Sequence, residues 1–129
     1  MSSVASLRPA SEVSARTAFE RLCEVVESQP HVTLIATCDG APAGFLLLLV
    51  DLPDEVTLLP QAFVAYMAVE PGLQGRGVGA ALLTAAENEA RGRQLPYIAL
   101  MVTEENGAAQ RLYERNGYQT ERRLLCKPL

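Results

Sequence analysis

Gly75, Gly77 and Gly79, each one residue apart, are the residues whose type and spacing point most directly to chemistry. They lie within Glu70 to Leu83, Glu-Pro-Gly-Leu-Gln-Gly-Arg-Gly-Val-Gly-Ala-Ala-Leu-Leu. An apolar run, Ala62 to Val69, leads into them and reads as a buried strand. A helical pattern, Val78 to Arg91, leads away. A strand, a glycine-rich turn and a helix N-terminus together form an anion cradle: successive backbone N–H groups face one concavity, and the helix dipole favours negative charge there. Glycine serves such a cradle because a phosphate must approach the backbone where a Cβ would collide, and because the turn uses φ > 0. The plainer alternative is a loop that only turns a corner.

Two common phosphate ligands fit poorly. A Walker loop needs Lys and then Ser or Thr after its last glycine, whereas Gly79 is followed by Ala80 and Ala81. Gly75-x-Gly77-x-x-Ala80 can be placed on the dinucleotide fingerprint, but the loop lies past mid-chain. About 20 residues on, where that fingerprint wants an acid, stands Pro96-Tyr97-Ile98-Ala99. Other chemistry is limited by scarcity. His31 is the only histidine, follows Pro30, and reads as structural or surface. Lys127 is the only lysine and disfavours Schiff-base chemistry. Cys23, Cys38 and Cys126 are odd in number, far apart and without metal-ligand spacing, so they read as thiols of a reducing, cytoplasmic compartment. Any reaction here must run largely on a bound cofactor, and no metal is expected.

The pattern Gln74-x-x-Gly77-x-Gly79 resembles the acetyl-CoA pyrophosphate loop of the GNAT superfamily of N-acetyltransferases, Gln/Arg-x-x-Gly-x-Gly/Ala. Met67-Ala68-Val69-Glu70-Pro71 before it is similar to that family's strand end. Asn106-x-x-Ala109-x-x-Leu112-Tyr113-x-x-Asn116-Gly117-Tyr118 is similar to its second signature. The resemblance covers about residues 31–126. It implies an α/β fold with a mixed, mostly antiparallel central sheet, splayed central strands and flanking helices. It implies acetyl-CoA as acetyl donor, with Gln74, Gly75, Arg76, Gly77, Val78, Gly79 and Ala80 around the pyrophosphate. The backbone of Met67, Ala68 and Val69 would face the pantetheine arm across a gap from Leu100-Met101-Val102, and Asn106 would stand on the cofactor side. Tyr113 is the implied general acid; its alternatives are a hydrogen bond to the sulfur or packing alone. The carboxylates that some members carry fall by alignment on Phe63 and Met101, so no base is assigned. Glu104 and Glu105 are candidates for a water relay, or exposed acids ahead of a helix.

These residues need elements to hold them. The 129 residues suit one domain, residues 1–129; 49% are hydrophobic and 20% charged, a globular composition. The net charge of −4 argues against nucleic acid and anionic membranes as partners, and Gly44 to Val50, the longest apolar run, is too short to span a bilayer. Val4 to Leu7 could be a first strand. Ser11 caps a helix over 11–28, with Ala15, Phe19, Leu22 and Val26 on its apolar face. Val32 to Cys38 and Ala43 to Val50 form a hairpin through a type I′ turn at Asp39-Gly40, the second strand being covered on both faces. Residues 51–60 form a loop, and Gln61 to Val69 the central strand. The helix after the cradle packs through Leu82, Leu83, Ala86 and Ala90, turns Glu87, Asn88, Glu89 and Arg91 to water, and stops at Gly92. Tyr97 to Val102 reads as a buried strand, 107–115 as a helix, and Tyr118 to Cys126 as a last strand.

The sequence therefore predicts an N-acetyltransferase acting on an unidentified primary amine, of a small molecule, peptide or protein. The alternative is a CoA-binding regulatory or partner module of the same fold without turnover. The acceptor wall would come from the N-terminal helix, the 51–60 loop with Asp51, Asp54 and Glu55, Phe63, Tyr66 and the C-terminal strand. The family usually places two helices between its first two strands and this chain has room for one. An open cleft, or a homodimer that completes it, is expected.

Overall fold

The computed structural model describes residue 8, residues 11–104 and residues 106–129, so the expected strand Val4 to Leu7 lies outside the described residues. Helix α1 (Glu12–Glu27) opens on Ser11, whose side chain accepts from the Ser14 N–H while the Ser14 hydroxyl oxygen accepts from the Ser11 N–H. That reciprocal pair satisfies two N-terminal donors. Strands β1 (His31–Cys38) and β2 (Ala41–Leu49) pair antiparallel. Asp39 and Gly40, at φ 53° and 80°, make the expected turn between them. Strand β3 (Ala62–Val69) pairs antiparallel with β2, and β4 (Ile98–Leu100) pairs parallel with β3, giving the sheet order β1-β2-β3-β4. Helix α2 (Val78–Gly92) and helix α3 (Gly107–Arg115) complete the elements. The expected α/β fold with a mostly antiparallel sheet is present.

The sheet separates two apolar clusters. On one face Leu46, Leu48, Val50, Ala62 and Val64 pack against Leu82, Leu83, Ala86 and Ala90 of α2. On the other, Leu47 and Leu49 pack against Val26 of α1, with Leu22, Phe45, Phe63 and Ala65 around them. Strand β2 is thus covered on both faces, as its unbroken apolar run requires. Leu46, Leu48 and Leu83 are fully buried, each side chain contributing about 1.5–3 kcal/mol of transfer free energy. Helix α1 packs only through its second half; Ala15 is exposed.

A bulge organises β3. Leu47 faces Tyr66 and Leu48 faces Val64, so Ala65 is the extra residue. Because side chains alternate, one extra residue reverses the facing of everything beyond it. Ala62 and Val64 point to the α2 side, and past the bulge Met67 and Val69 do so instead. Tyr66 is turned to the α1 side, where its ring lies 4.9 Å from Phe19 and 5.7 Å from Phe45.

Several boundaries differ from the sequence reading. The fourth strand is three residues, not Tyr97 to Val102: Tyr97 is 58% exposed and Met101 73%, so apolar character at these positions reflects no burial. Tyr118 to Cys126 forms no strand. Its alternating side chains meet no partner ladder among the described residues, and Leu124 and Leu125 are exposed. Gly92 remains within α2, whose cap is Arg93. The left-handed turn is taken by Gln94 at φ 59°, a conformation that Gly would adopt at less cost.

Candidate functional site

The cradle forms where β3 ends. Glu70 donates its N–H to the Ala43 carbonyl at 2.8 Å and leads into a 3-10 turn, Pro71–Leu73. Gly75 and Gly77 both sit at φ 81°, the left-handed region closed to most side chains, and a Cβ on either would point into open space. Gly77 is the N-cap of α2 and lends no side-chain acceptor to it; the first helical bond runs from the Ala81 N–H to the Gly77 carbonyl at 3.0 Å. Among the described residues no protein acceptor meets the N–H groups from Gln74 to Ala80. Those donors, at a helix start, leave a cluster of partial positive charge facing solvent. Arg76 is exposed beside them.

Gly79 has a packing role as well. It lies inside α2, and a Cβ there would come within 3.0 Å of Leu112 Cδ2. Its missing side chain lets α3 dock on the first turn of α2. Gly44, which the sequence reading passed over, is comparable: a Cβ would meet the Ala68 carbonyl oxygen at 2.7 Å, so only glycine lets β2 approach β3 there. An isolated glycine in an apolar strand pattern was the available signal.

Beside the cradle the sheet opens. The β3–β4 ladder consists of Ala62–Ile98, Phe63–Ala99 and Val64–Leu100 and goes no further. Strand β3 continues through Met67, Ala68 and Val69 with no ladder partner on that side, while residues 101–103 leave the sheet. This is the splay expected between the central strands. Phe63 is half-buried in the α1-side cluster and Met101 is exposed, so neither strand offers a carboxylate to the gap. Glu104 is exposed, its carbonyl held by the Gln110 side-chain amide; Glu105 lies outside the described residues.

Helix α3 lines the far side. Asn106 caps it, its Oδ1 accepting from the Ala109 N–H at 3.2 Å, so that this side chain serves the helix start directly. Tyr113 is half-buried against the α2-side core, and burial holds its phenol pKa above the usual value. The helix stops through two crossed bonds, Gly117 N–H to the Glu114 carbonyl at 3.1 Å and Tyr118 N–H to the Tyr113 carbonyl at 3.0 Å, with Gly117 at φ 89°. The Tyr113 and Tyr118 rings meet edge to face, centroids 6.0 Å apart. The Tyr118 hydroxyl donates to Glu87 Oε2 at 3.0 Å. Glu87, expected to face water, is half-buried, because it lies one turn from Leu83 and from Ala90 on the packed edge of α2.

Asp54 is also not the free acid the sequence reading allowed for. Its side chain is accepted into a closed set: Arg122 donates twice, at 2.7 and 2.9 Å, joined by the Val56 and Thr57 N–H groups and the Thr57 hydroxyl. The Arg122 guanidinium and these donors hold its carboxyl well below the usual carboxylate range. Asp51 and Glu55 remain exposed. Among the described residues no group of three or more His, Cys, Asp or Glu could hold a metal ion, and no helix is long and apolar enough to cross a membrane.

Known proteins give the arrangement a context. A Pyrococcus furiosus protein provisionally assigned as an acetyl transferase superposes with a TM-score of 0.80 at 27% identity, over 95% of this chain and 83% of that one. The aminoglycoside N-acetyltransferase AAC(6')-Iy in complex with CoA shares the fold, with a TM-score of 0.70 at 21% identity over 88% of this chain and 87% of that one. The mycothiol acetyltransferase of Beutenbergia cavernae is 33% identical over 89 residues, which is 69% of this chain but 29% of that protein. The ribosomal protein bS18-alanine N-acetyltransferase of Haemophilus ducreyi is 37% identical over 62 residues, 48% of this chain and 43% of that protein, so the matches span less than half of either curated relative. The sequence pattern of the Acetyltransferase (GNAT) family extends over residues 4–118, through the cradle, the splay and the Tyr113 helix. With that match, the chain belongs to the GNAT acetyltransferase family.

Proposed function

We propose that this chain transfers an acetyl group from acetyl-CoA to a primary amine. The observation that carries the reading is the continuity of two sets of unpaired backbone groups. The donors of residues 74–80 and the open edge of β3 at Met67, Ala68 and Val69 adjoin one another at the end of one strand. A diphosphate followed by an amide-bearing arm matches both in order: anionic oxygens for the N–H cluster, peptide-like groups for the ladder edge. The space beside Gly75 and Gly77 is open, with no protein atom within 4 Å of where a Cβ would stand, which leaves room for such a group. On this reading Gly75, Gly77, Val78, Gly79 and Ala80 hold the diphosphate through N–H groups. Gln74 and Arg76 flank it, and Asn106 orders the helix start on the opposite wall.

Bound acetyl-CoA supplies an acyl carbon activated as a thioester, at which an amine nitrogen forms a C–N bond as the C–S bond breaks. Tyr113 Oη holds the proton that a departing thiolate accepts. Burial keeps that phenol protonated at neutral pH, which is the state a donor needs. No carboxylate on β3 or β4 is placed to take the proton of the amine, so the neutral fraction of the amine serves as nucleophile; the proton that nitrogen sheds as the amide forms passes to water, and water returns one to the Tyr113 phenolate. That lack also favours a second reading, a CoA-binding module without turnover. Among the described residues one helix lies ahead of β1, which leaves a short acceptor wall: an open cleft that takes a peptide or protein amine, or one that a second copy of the chain completes as a homodimer.

Calorimetric titration with acetyl-CoA, with NAD and ATP as controls, tests the reading; selective binding of acetyl-CoA is expected, and no binding would overturn it. Relatives carry names for a ribosomal-protein alanine and for aminoglycosides. Turnover against a panel spanning N-terminal peptides, lysine side chains and amino sugars then separates enzyme from module.

A further inference from the structure

We propose that Tyr118, held by Glu87, is a positioning residue for Tyr113. The inference rests on the reading of Tyr113 as the group that meets the sulfur. Among the described residues the Tyr113 hydroxyl has no hydrogen-bond partner, so its place is set by what holds the ring. One support is the helix stop itself, which brings Tyr118 beneath Tyr113 through the bond between their backbones at 3.0 Å. A helix stop alone would leave the Tyr118 ring free to rotate about its side-chain bonds. Here the ring is pinned at its far end by Glu87 Oε2, 31 residues away on α2. Tyr118 is thereby clamped between two helices, with its ring edge to face against Tyr113.

The surroundings support a held phenol rather than a solvated one. Tyr118 is half-buried and the Glu87 side chain is 21% exposed. Burial first, then the hydrogen bond and charge of Glu87, raise the Tyr118 pKa, with Tyr113 adding and Arg91 opposing. Arg91 stands 3.9 Å from Glu87 Oε1 and is largely exposed, so it steadies the carboxylate without competing for Oε2. The Tyr118 proton therefore stays in place and the clamp with it. Misplacing a reacting group by about 1 Å can cost two orders of magnitude in rate, so a clamp on the ring next to the donor has leverage.

The test uses CoA itself as probe, and reads the ionisation of its bound thiol by thiolate absorbance. A phenol O–H donated to the sulfur stabilises thiolate, so Tyr113→Phe should raise the thiol pKa. Tyr118→Phe keeps the ring and the helix stop but frees it from Glu87; it should leave CoA affinity unchanged and lower the thiolate fraction about threefold at fixed pH. Glu87→Ala should do the same, and Glu87→Gln, which keeps an acceptor oxygen, should restore most of the effect. In the Tyr113→Phe background neither change should add anything, the mark of groups acting through one another. If Tyr113→Phe moves the thiol and Tyr118→Phe does not, or if the two simply add, positioning is overturned while Tyr113 keeps its role. If Tyr113→Phe moves nothing, the role at the sulfur falls and this proposal with it.

Discussion

The two ends of the sheet are built on opposite principles. At the end where β3 stops, the chain makes its concavity from backbone, with glycines at φ 81° and N–H groups from 74 to 80 that find no protein acceptor among the described residues. At the other end the 51–60 loop is closed by side chains around Asp54, whose carboxylate receives Arg122, Thr57 and Val56 until its oxygens are satisfied. Both are loops that leave a strand of the sheet, one for α2 and one for β3, and both carry polar groups. The difference lies in satisfaction: a loop that only holds the fold together closes its own hydrogen bonds, and a loop shaped for a ligand keeps donors in reserve.

The sharpest break of that contrast is Gly77→Glu. It puts a carboxylate and a left-handed non-glycine residue into the donor cluster, and acetyl-CoA binding should vanish in calorimetry while the circular dichroism spectrum is retained. Persistent binding would place the ligand elsewhere. Next comes Tyr113→Phe, expected to lower turnover roughly ten- to ten-thousand-fold with acetyl-CoA affinity nearly intact; an unchanged rate would return Tyr113 to packing.

Gly79→Ala should act differently from any change at Gly77. The new methyl stands 3.0 Å from Leu112 Cδ2, so the contact should cancel most of the about 0.5–1 kcal/mol that Ala ordinarily gains over Gly within a helix, and shortening Leu112 to Val in the double mutant should restore that gain. Additive effects in denaturant unfolding would count against the packing role. Asp54→Asn should lower the melting temperature and leave acetyl-CoA affinity alone. Its pH dependence has a definite sign. The folded carboxyl titrates below its unfolded value of about 3.9, so its contribution is full above that pH and fades as the solution is acidified further. The gap between wild type and Asp54→Asn should therefore close under strongly acid conditions, as melting curves at stepped pH would show. A loss of acetyl-CoA binding in this variant would erase the distinction between the two ends.

What the sequence made legible follows from the range of the physics involved. The glycine loop, the β1–β2 turn, the Ser11 and Asn106 caps and the packed face of α2 are local, each decided by residues within a turn of one another. The features it hid are contacts between distant segments. The packing of Gly79 under Leu112 shows only once α3 is seen against it, and Glu87 looks solvated until Tyr118 reaches it. Asp54 and Arg122 lie 68 positions apart with nothing in either neighbourhood to announce the other. Strand propensity at Tyr118 to Cys126 misled for the same reason, since a strand is made by its neighbour.

The extra residue at Ala65 divides β3 into two half-strands that keep different phase. Ala62 and Val64 stay in step with β4 and belong to the core; Met67 and Val69, out of step with them, border the opening. Deleting Ala65 would make Leu48–Val64, Leu47–Tyr66 and Leu46–Met67 consecutive pairs with each side chain on its present face, and would take from the strand only the kink and added twist of the bulge. The chain thus carries a phase boundary one residue wide, on one side of which it is committed to holding itself together and on the other to receiving something else.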